Sequence, residues 1–426
     1  MKIAVIGTGI AGNVASWHLC REHEITVFES GRHVGGHTHS HEISRNDRQQ
    51  YVIDTGFIVY NDWTYPNFIA LLDELGVQTQ PTTMSFSTRC ESSGIEYNGA
   101  SLNRLFSQRR NLLSPRFHGM IRDILRFNRE SRELLDSSDA TLTLDEYLRN
   151  RGYGRLFIDN YIIPMGAAIW STDPQQMLDF PACHFIRFFA NHGLLNIRNR
   201  PQWRVIRGGS REYVRVLTAP FRDRIRLEQP VLSLKRNPDH VELRTTTGHV
   251  EHFDHVFIAS HSNQALAMLA DPDPLEREIL GAIPYQKNEV VLHTDISLLP
   301  RHRRCWAAWN YLRRNENKQR VSVTYNMNML QGLDSPETFC VTLNDSGNIN
   351  PDRVIRRLSY EHPVFTAAGI AAQQRQDEIN GQRRTWYCGA YWRYGFHEDG
   401  VVSAINAVKN FRKHIKHAQP SLRRAG

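Results

Sequence analysis

The sequence predicts an α/β fold, with a Rossmann-like dinucleotide-binding unit opening the chain and α+β regions after it. Three observations carry this. An apolar run at Lys2–Ile6 leads into G-x-G-x-x-G at Gly7, Gly9 and Gly12. A helical stretch then leads to a second apolar run that closes on Glu29. Farther along, helical segments give way to stretches that alternate apolar and polar residues as strands do.

Taken in order, Lys2–Ile6 reads as a strand buried on both faces, Ile10–Arg21 as a helix and Glu24–Glu29 as the next strand. This is a βαβ unit of minimal length. Gly7 permits the tight turn, Gly9 lets a pyrophosphate approach the backbone, and Gly12 lets the helix sit close to the strand. The helix start at Ile10 and Ala11 offers free N–H groups and a positive dipole end to the phosphates. Glu29, with Ser30 beside it, stands where an acid accepts ribose hydroxyl hydrogen bonds. An acid there repels a 2′-phosphate, so the ligand carries an unphosphorylated adenosine ribose. Among the later segments, Phe117–Leu135 and Leu144–Asn150 read as helices. Glu289–Thr294, Arg320–Asn326 and Thr338–Leu343 read as strands.

Composition bounds the alternatives. The 426 residues, 40% hydrophobic and 10% aromatic, suffice for two or three domains with cores. The net charge of +8 is concentrated at Arg109-Arg110, Arg301 to Arg304, Arg313-Arg314 and Lys409 to Arg424. Solvated faces and contact with anionic lipid both fit such runs; nucleic acid is disfavoured because no recognition module accompanies them. Six scattered cysteines form no C-x-x-C pair, which suits a reducing cytosol and argues against zinc. The first residues behave as a strand and turn, so no leader is expected, and no apolar run is long enough to span a membrane. G-x-S-x-G, Walker and metal-ligand motifs are absent, and no second G-x-G-x-x-G follows residue 200.

The segment Gly31-Arg32-His33-Val34-Gly35-Gly36-His37 resembles the R-x-G-G stretch that follows the ribose acid in two-dinucleotide-binding flavoproteins. Five further stretches resemble the superfamily of flavin-containing amine oxidases, phytoene desaturases and protoporphyrinogen oxidases. They are Val52-Ile53-Asp54-Thr55-Gly56, then VIRGGSREYVRVL at 205–217, Val231 in PVLSLKR, FDHVFIASHSNQALAML at 253–269, and WYCGAYWRYGFHEDGVVSAINA at 386–407. The resemblance is nearest to a bacterial branch associated with cyclopropane-fatty-acid-synthase-type lipid methyltransferases. It implies noncovalent FAD, held by Arg32, Gly35, Gly36 and His37, by Thr55, Gly56 and Phe57, by Val231 and Ala259, and by Gly389, Glu398, Asp399, Gly400 and Val401. It also implies a discontinuous FAD domain from 1–80, 203–275 and 375–416, and an α+β substrate domain, with a mixed or antiparallel sheet and helices, from 81–202 and 276–374. A basic tail, 417–426, is expected to fray. Two positions depart from the family pattern. Ala390 follows Gly389 where an acid is usual. Gly395-Phe396-His397-Glu398-Asp399-Gly400 is one residue longer than the amine oxidase motif, so the tyrosine of their aromatic cage has no clear equivalent.

Histidines 37, 39 and 41 alternate and would share one strand face; a metal site, contact with cofactor or substrate, and ordinary polar packing all fit. His397 and Glu398 stand at the expected flavin-facing helix start, where acids also serve as dipole complements. Many amine oxidases hold a lysine to a water near the flavin, and Lys287 is the candidate here, against a surface lysine. His397, Glu398 and Lys287 are thus the catalytic candidates, with no metal. Trp306, Trp309 and Tyr311 form either core or an active-site wall; the apolar stretches 156–169 and 185–197 form either core or the lining of a tunnel. The expected activity is an FAD-dependent oxidoreductase that takes hydride from a C–H bond of a hydrophobic substrate, such as a lipid acyl chain in fatty acid desaturation. Amine oxidation to imine and hydrogen peroxide, redox-neutral lipid isomerisation and a non-enzymatic partner subunit are the alternatives. A lipid methyltransferase partner and a cytoplasmic location, with peripheral contact to anionic membrane, complete the expectations.

Overall fold

In the computed structural model, which describes residues 1–44, 49–137, 139, 141–170, 174–314 and 322–418, the opening strand lies at the centre of a parallel sheet. β1 (Lys2–Ile6) pairs with β2 (Glu24–Phe28) on one side and with strand His255–Ile258 on the other. Ile225–Arg226 extends the sheet beyond β2, and Thr385–Tyr387 extends it beyond His255–Ile258. All four pairings are parallel, so both faces need cover. Successive residues of β1 serve the two faces in turn. Ile3 and Val5 pack with α1 (Ile10–Leu19) and with Val401, Ala404 and Phe411 of the long helix His397–Ala418. Ala4 and Ile6 pack beneath the antiparallel sheet Val231–Arg236, Val241–Thr245, Val250–Phe253 and the helix Pro274–Gly281.

A second sheet of seven strands runs in the order Val354–Pro363, Tyr285–His293, Cys340–Leu343, Ser322–Asn326, Trp309–Arg313, Phe86–Cys90, Ile95–Asn98. Its pairings are antiparallel except that between Trp309–Arg313 and Phe86–Cys90. β3 (Ser40–Ser44) and β4 (Gln50–Asp54) form a hairpin, followed by the helix α2 (Pro66–Glu74). The short helix α3 (Leu102–Leu105) and then α4 (Pro115–Glu130) open a helical layer. Ser114 starts α4: its hydroxyl accepts from the Phe117 N–H, and Pro115 follows in the first turn. The apolar stretch around 156–169 is helical from Arg155 to Trp170, with a π-turn at Ile158–Ile162.

Several boundaries moved. α1 ends at Leu19 and the expected strand at 289–294 begins earlier, at Tyr285. The helix expected through 135 is α-helical only to Glu130 and tightens to a 3-10 turn at Ser131–Leu134. Residues 320 and 321 of the strand expected at 320–326 lie outside the described residues, as does the tail from 419. The last helix continues through Ala418, past 417 where the tail was expected to begin.

Candidate functional site

At the β1–α1 turn, Gly7 has φ +99°, and a Cβ there would stand 3.0 Å from the Ala259 carbonyl oxygen at the end of the neighbouring strand. A Cβ at Gly12 would overlap the Gly7 carbonyl oxygen, so the helix can lie this close only with glycine at that position. At Gly9 the same construction meets nothing within 4 Å. The turn is therefore an open cradle, and Gly9 begins α1 with no side-chain cap on its N–H groups. A Cβ on Gly36 would come within 2.9 Å of the Gly9 Cα, so the Gly35-Gly36 loop runs close against the turn and leaves the Gly9 Cβ direction open.

Glu29 is oriented by Thr8, which sits between the first two glycines. The Thr8 N–H and hydroxyl both donate to Glu29, at 2.9 and 2.5 Å, and the Gly31 N–H donates to its other oxygen at 2.7 Å. Thr8 Oγ1 in turn accepts from the Gly35 N–H at 3.2 Å. One hydroxyl thus joins the glycine turn, the acid and the second glycine loop. Ser30 is exposed, with its hydroxyl 3.4 Å from Glu29. Arg32 points outward and pairs with Glu228 at 2.8 Å. Val231 is half-buried at the start of its strand, opposite Thr245.

The start of helix His397–Ala418 meets the same place. A Cβ on Gly400 would lie 2.6 Å from Ile10 Cγ2, so the first turns of this helix and α1 abut. Val401 is fully buried between them, and the Gly389 N–H donates to Ser403 Oγ at 3.0 Å. His397 lies flat on Phe57, ring centroids 3.5 Å apart. Its Nε2 is 3.0 Å from both Tyr213 Oη and Thr38 Oγ1, which are themselves 2.5 Å apart. Burial, with the nearby His37 adding to it, holds the His397 pKa well below the ordinary histidine range.

The two acids beside it are committed. Glu398 accepts from the N–H groups of Asn67 and Phe68 at 3.1 and 2.9 Å and from the Asn67 amide at 2.6 Å, capping α2. Asp399 accepts from the Phe396 N–H at 2.9 Å, and burial pushes its pKa up to about 6. Lys287 is elsewhere: it is exposed on strand Tyr285–His293, opposite Glu361. There it lines a cleft of about 730 Å³ with Tyr285, Gln286 and Phe365. The three catalytic candidates therefore do not converge, and His397 alone sits at the junction of the two helix starts.

A group of histidines lies beside His397. The strand β3 begins only at Ser40, so the alternation expected for 37, 39 and 41 splits. His39 and His41 stay together, 4.1 Å between centroids, with His33 stacked on His39 at 3.8 Å. His37 turns instead toward His362 and His261, at 5.4 and 5.9 Å. Tyr360 bridges the groups: its hydroxyl is 3.2 Å from His39 Nδ1 and 2.8 Å from Thr55 Oγ1, which is also 3.1 Å from His41 Nε2. Burial lowers His37 and His41 to about 4, His39 and His362 to about 3, and His261 to about 4, so all are neutral at pH 7. No group of three or more ligands could hold a metal ion among the described residues. His37 Nε2 is buried without a partner. Gly56 follows Thr55 here; a Cβ on it would overlap the His37 carbonyl oxygen.

The apolar stretches expected as core or tunnel belong to one cluster, which reaches Phe365, Tyr394 and Phe396 beside His397. Tyr311 packs on Ala167 and Ala168, with Trp309 against the same group; Trp306 donates to the Pro300 carbonyl. Sequence reasoning missed Thr8, Thr38, Tyr213, His261, Tyr360 and His362. Thr8 was visible as the residue between Gly7 and Gly9; the others are brought in from distant segments.

An open cradle at two abutting helix starts, an acid held in place just after β2 and a buried unpartnered histidine nitrogen fit an adenine dinucleotide with a second, ring-bearing half. The comparisons agree. The sequence model of flavin containing amine oxidoreductases matches residues 10–292. No curated protein matches by sequence. Among solved structures, the CLA-producing fatty acid isomerase from P. acnes is similar over 96% of this chain and 98% of its own, at TM-score 0.69 and 17% identity. Cyclohexylamine oxidase from Brevibacterium oxydans IH-35A is similar over 97% and 99%, at TM-score 0.69 and 14% identity. Putrescine oxidase bound to putrescine is similar over 97% and 99%, at TM-score 0.67 and 13% identity. At these identities the likeness is one of fold.

Proposed function

The chain belongs to the flavin containing amine oxidoreductase family, an FAD-dependent oxidoreductase by that membership, and we propose that its substrate is a hydrophobic molecule with a lipid acyl chain rather than an amine. One observation carries this reading: among the described residues, the acids at the junction where the two helix starts meet are already partnered. Glu398 is spent on α2, Asp399 on its own helix start, and His397 is a neutral ring between Phe57 and two hydroxyls. The neighbouring surface is Phe188 and Phe396, stacked at 5.2 Å, within the large aromatic cluster. Such a site suits an alkyl chain.

FAD, when bound, supplies the hydride-accepting chemistry. The backbone N–H groups at Gly9 to Ala11 would hold its diphosphate and Glu29 its ribose, with Gly400 and Val401 of the second helix start beside them. Phe57, Tyr213 and Thr38 fix the His397 ring. With its pKa depressed, His397 is a weak base at neutral pH. It orients and excludes water, and the substrate must bring its own activation, as an allylic C–H does. A lipid isomerase in the same site is the second reading. It needs no external acceptor, in keeping with the single G-x-G-x-x-G of the chain. The lipid methyltransferase expected as a partner would share the acyl chain, and co-purification tests that pairing.

Anaerobic titration of the oxidised holoenzyme decides between substrates. Bleaching of the flavin by unsaturated lipids supports the acyl-chain reading. Bleaching by amines with none by lipid overturns it. Lipid turnover with no acceptor and no net flavin reduction assigns the isomerase.

A further inference from the structure

Residues 99–122 hold five arginines, at 104, 109, 110, 116 and 122, and no acid. Elsewhere most surface arginines are matched: Arg126 with Asp123, Arg149 with Asp145, Arg155 with Asp159. None of these five forms an ion pair among the described residues. Three leucines stand out among them, Leu102 at 75%, Leu112 at 49% and Leu113 at 89% exposure. The turn Arg303–Cys305 packs against α3 and adds exposed Arg303 and Arg304 to the same face, also without carboxylate partners among the described residues. Two charge runs far apart in the chain thus become one patch.

The patch is braced. Arg109 donates to Asn103 Oδ1 at 2.6 Å and to the Phe106 carbonyl at 3.1 Å, Arg110 to the Gly94 carbonyl at 2.7 Å, and His118 lies 2.8 Å from the Leu112 carbonyl. Beneath it Phe106 and Phe117 pack edge to face, rooted in the apolar cluster that reaches Phe396. Outward-facing leucines therefore sit on a fixed platform ringed by uncompensated positive charge.

We infer that this face, centred on Leu112-Leu113 and the surrounding arginines, docks the protein onto an anionic phospholipid bilayer. The arginines meet lipid phosphates and the leucines enter the interfacial zone. Nucleic acid would use the charge but gives the leucines nothing to do, and stacking on bases asks for exposed aromatic rings instead. The inference does not rest on the substrate reading.

The test is co-sedimentation of the full-length holoprotein with vesicles of saturated phosphatidylglycerol and phosphatidylcholine. Saturated chains carry no double bond to react, so docking is read separately from turnover. Wild type is expected to pellet with the mixed vesicles, less so in high salt, and not with phosphatidylcholine alone. R109E/R110E and L112S/L113S, both on exposed turns, are each expected to weaken partitioning about tenfold while keeping the flavin absorbance. R149E, a paired arginine on another helix, should bind as wild type. Failure of wild type to pellet, wild-type binding by either double variant, or tighter binding to single-stranded RNA than to vesicles would each overturn the proposal.

Discussion

Glu398 shows how a residue's neighbours decide its role. From the chain it is an acid at a flavin-facing helix start; in space its oxygens cap α2 through Asn67 and Phe68, across 331 and 330 residues of sequence. Replacing it with Gln keeps the shape and removes the charge from three hydrogen bonds. Charge-assisted bonds of this kind contribute about 1.5–3 kcal/mol, so E398Q should lose about 2 kcal/mol in denaturant unfolding. The rate of flavin reduction by substrate should stay within about twofold; a collapse of that rate with stability intact would restore Glu398 to the chemistry. Gly12 was legible because its requirement is local, a helix pressed on the turn five residues before it. G12A must push α1 off the Gly7 carbonyl, and purified protein should retain about a tenth or less of wild-type flavin, read by absorbance. Tyr213, Thr38 and Tyr360 were not legible for the opposite reason: their hydroxyls find partners far off in the chain, Tyr213 and Thr38 at His397 and Tyr360 at His39 and Thr55.

Between elements, the junction of α1 with helix His397–Ala418 carries the site. The contact is set by Gly400 against Ile10, and it can be tested as a pair. G400A alone should raise the dissociation constant for FAD about tenfold by levering the two helix starts apart. I10A should recover part of that loss in the double variant, since it removes the obstructing methyl group. Additive losses would mean that the helices are held apart by something else. The periodicities that predict βαβ and alternating strands depend on neighbours in the chain, so β1, α1, β2 and three strands of the seven-stranded sheet, Tyr285–His293, Ser322–Asn326 and Cys340–Leu343, were readable. The histidines at 37, 39 and 41 were not, because a period of two holds only inside a strand and β3 starts at Ser40. His37 therefore faces His362 and His261, partners more than two hundred residues away.

For the whole molecule, the buried histidines fix the response to acid. His37, His39, His41, His261, His362 and His397 all have pKa values lowered by burial, so the unfolded chain takes up protons near pH 6.5 while the folded chain does not. Their contribution to stability is complete above about 6.5 and is lost as the pH falls toward 4. Asp54 and Asp399, each pushed up to about 6, act in the opposite sense, but they are two groups against these six and against His184, His192, His255 and His293, which burial also lowers to about 4. Melting temperature should therefore fall steadily from pH 7 to pH 4.5; a flat profile would mean that these rings are not buried in solution. The parallel sheet has its own consequence. Its edge strand, Thr385–Tyr387, and the helix that completes the cradle come from the last part of the chain, while β1 comes from the first. A ribosome must have passed residue 387 before this sheet is complete, so the nascent protein waits with strand His255–Ile258 open along one edge. Cofactor loading must then wait until helix His397–Ala418 has emerged, and cells short of chaperone capacity should accumulate colourless, aggregated product before they lose the yellow form already made.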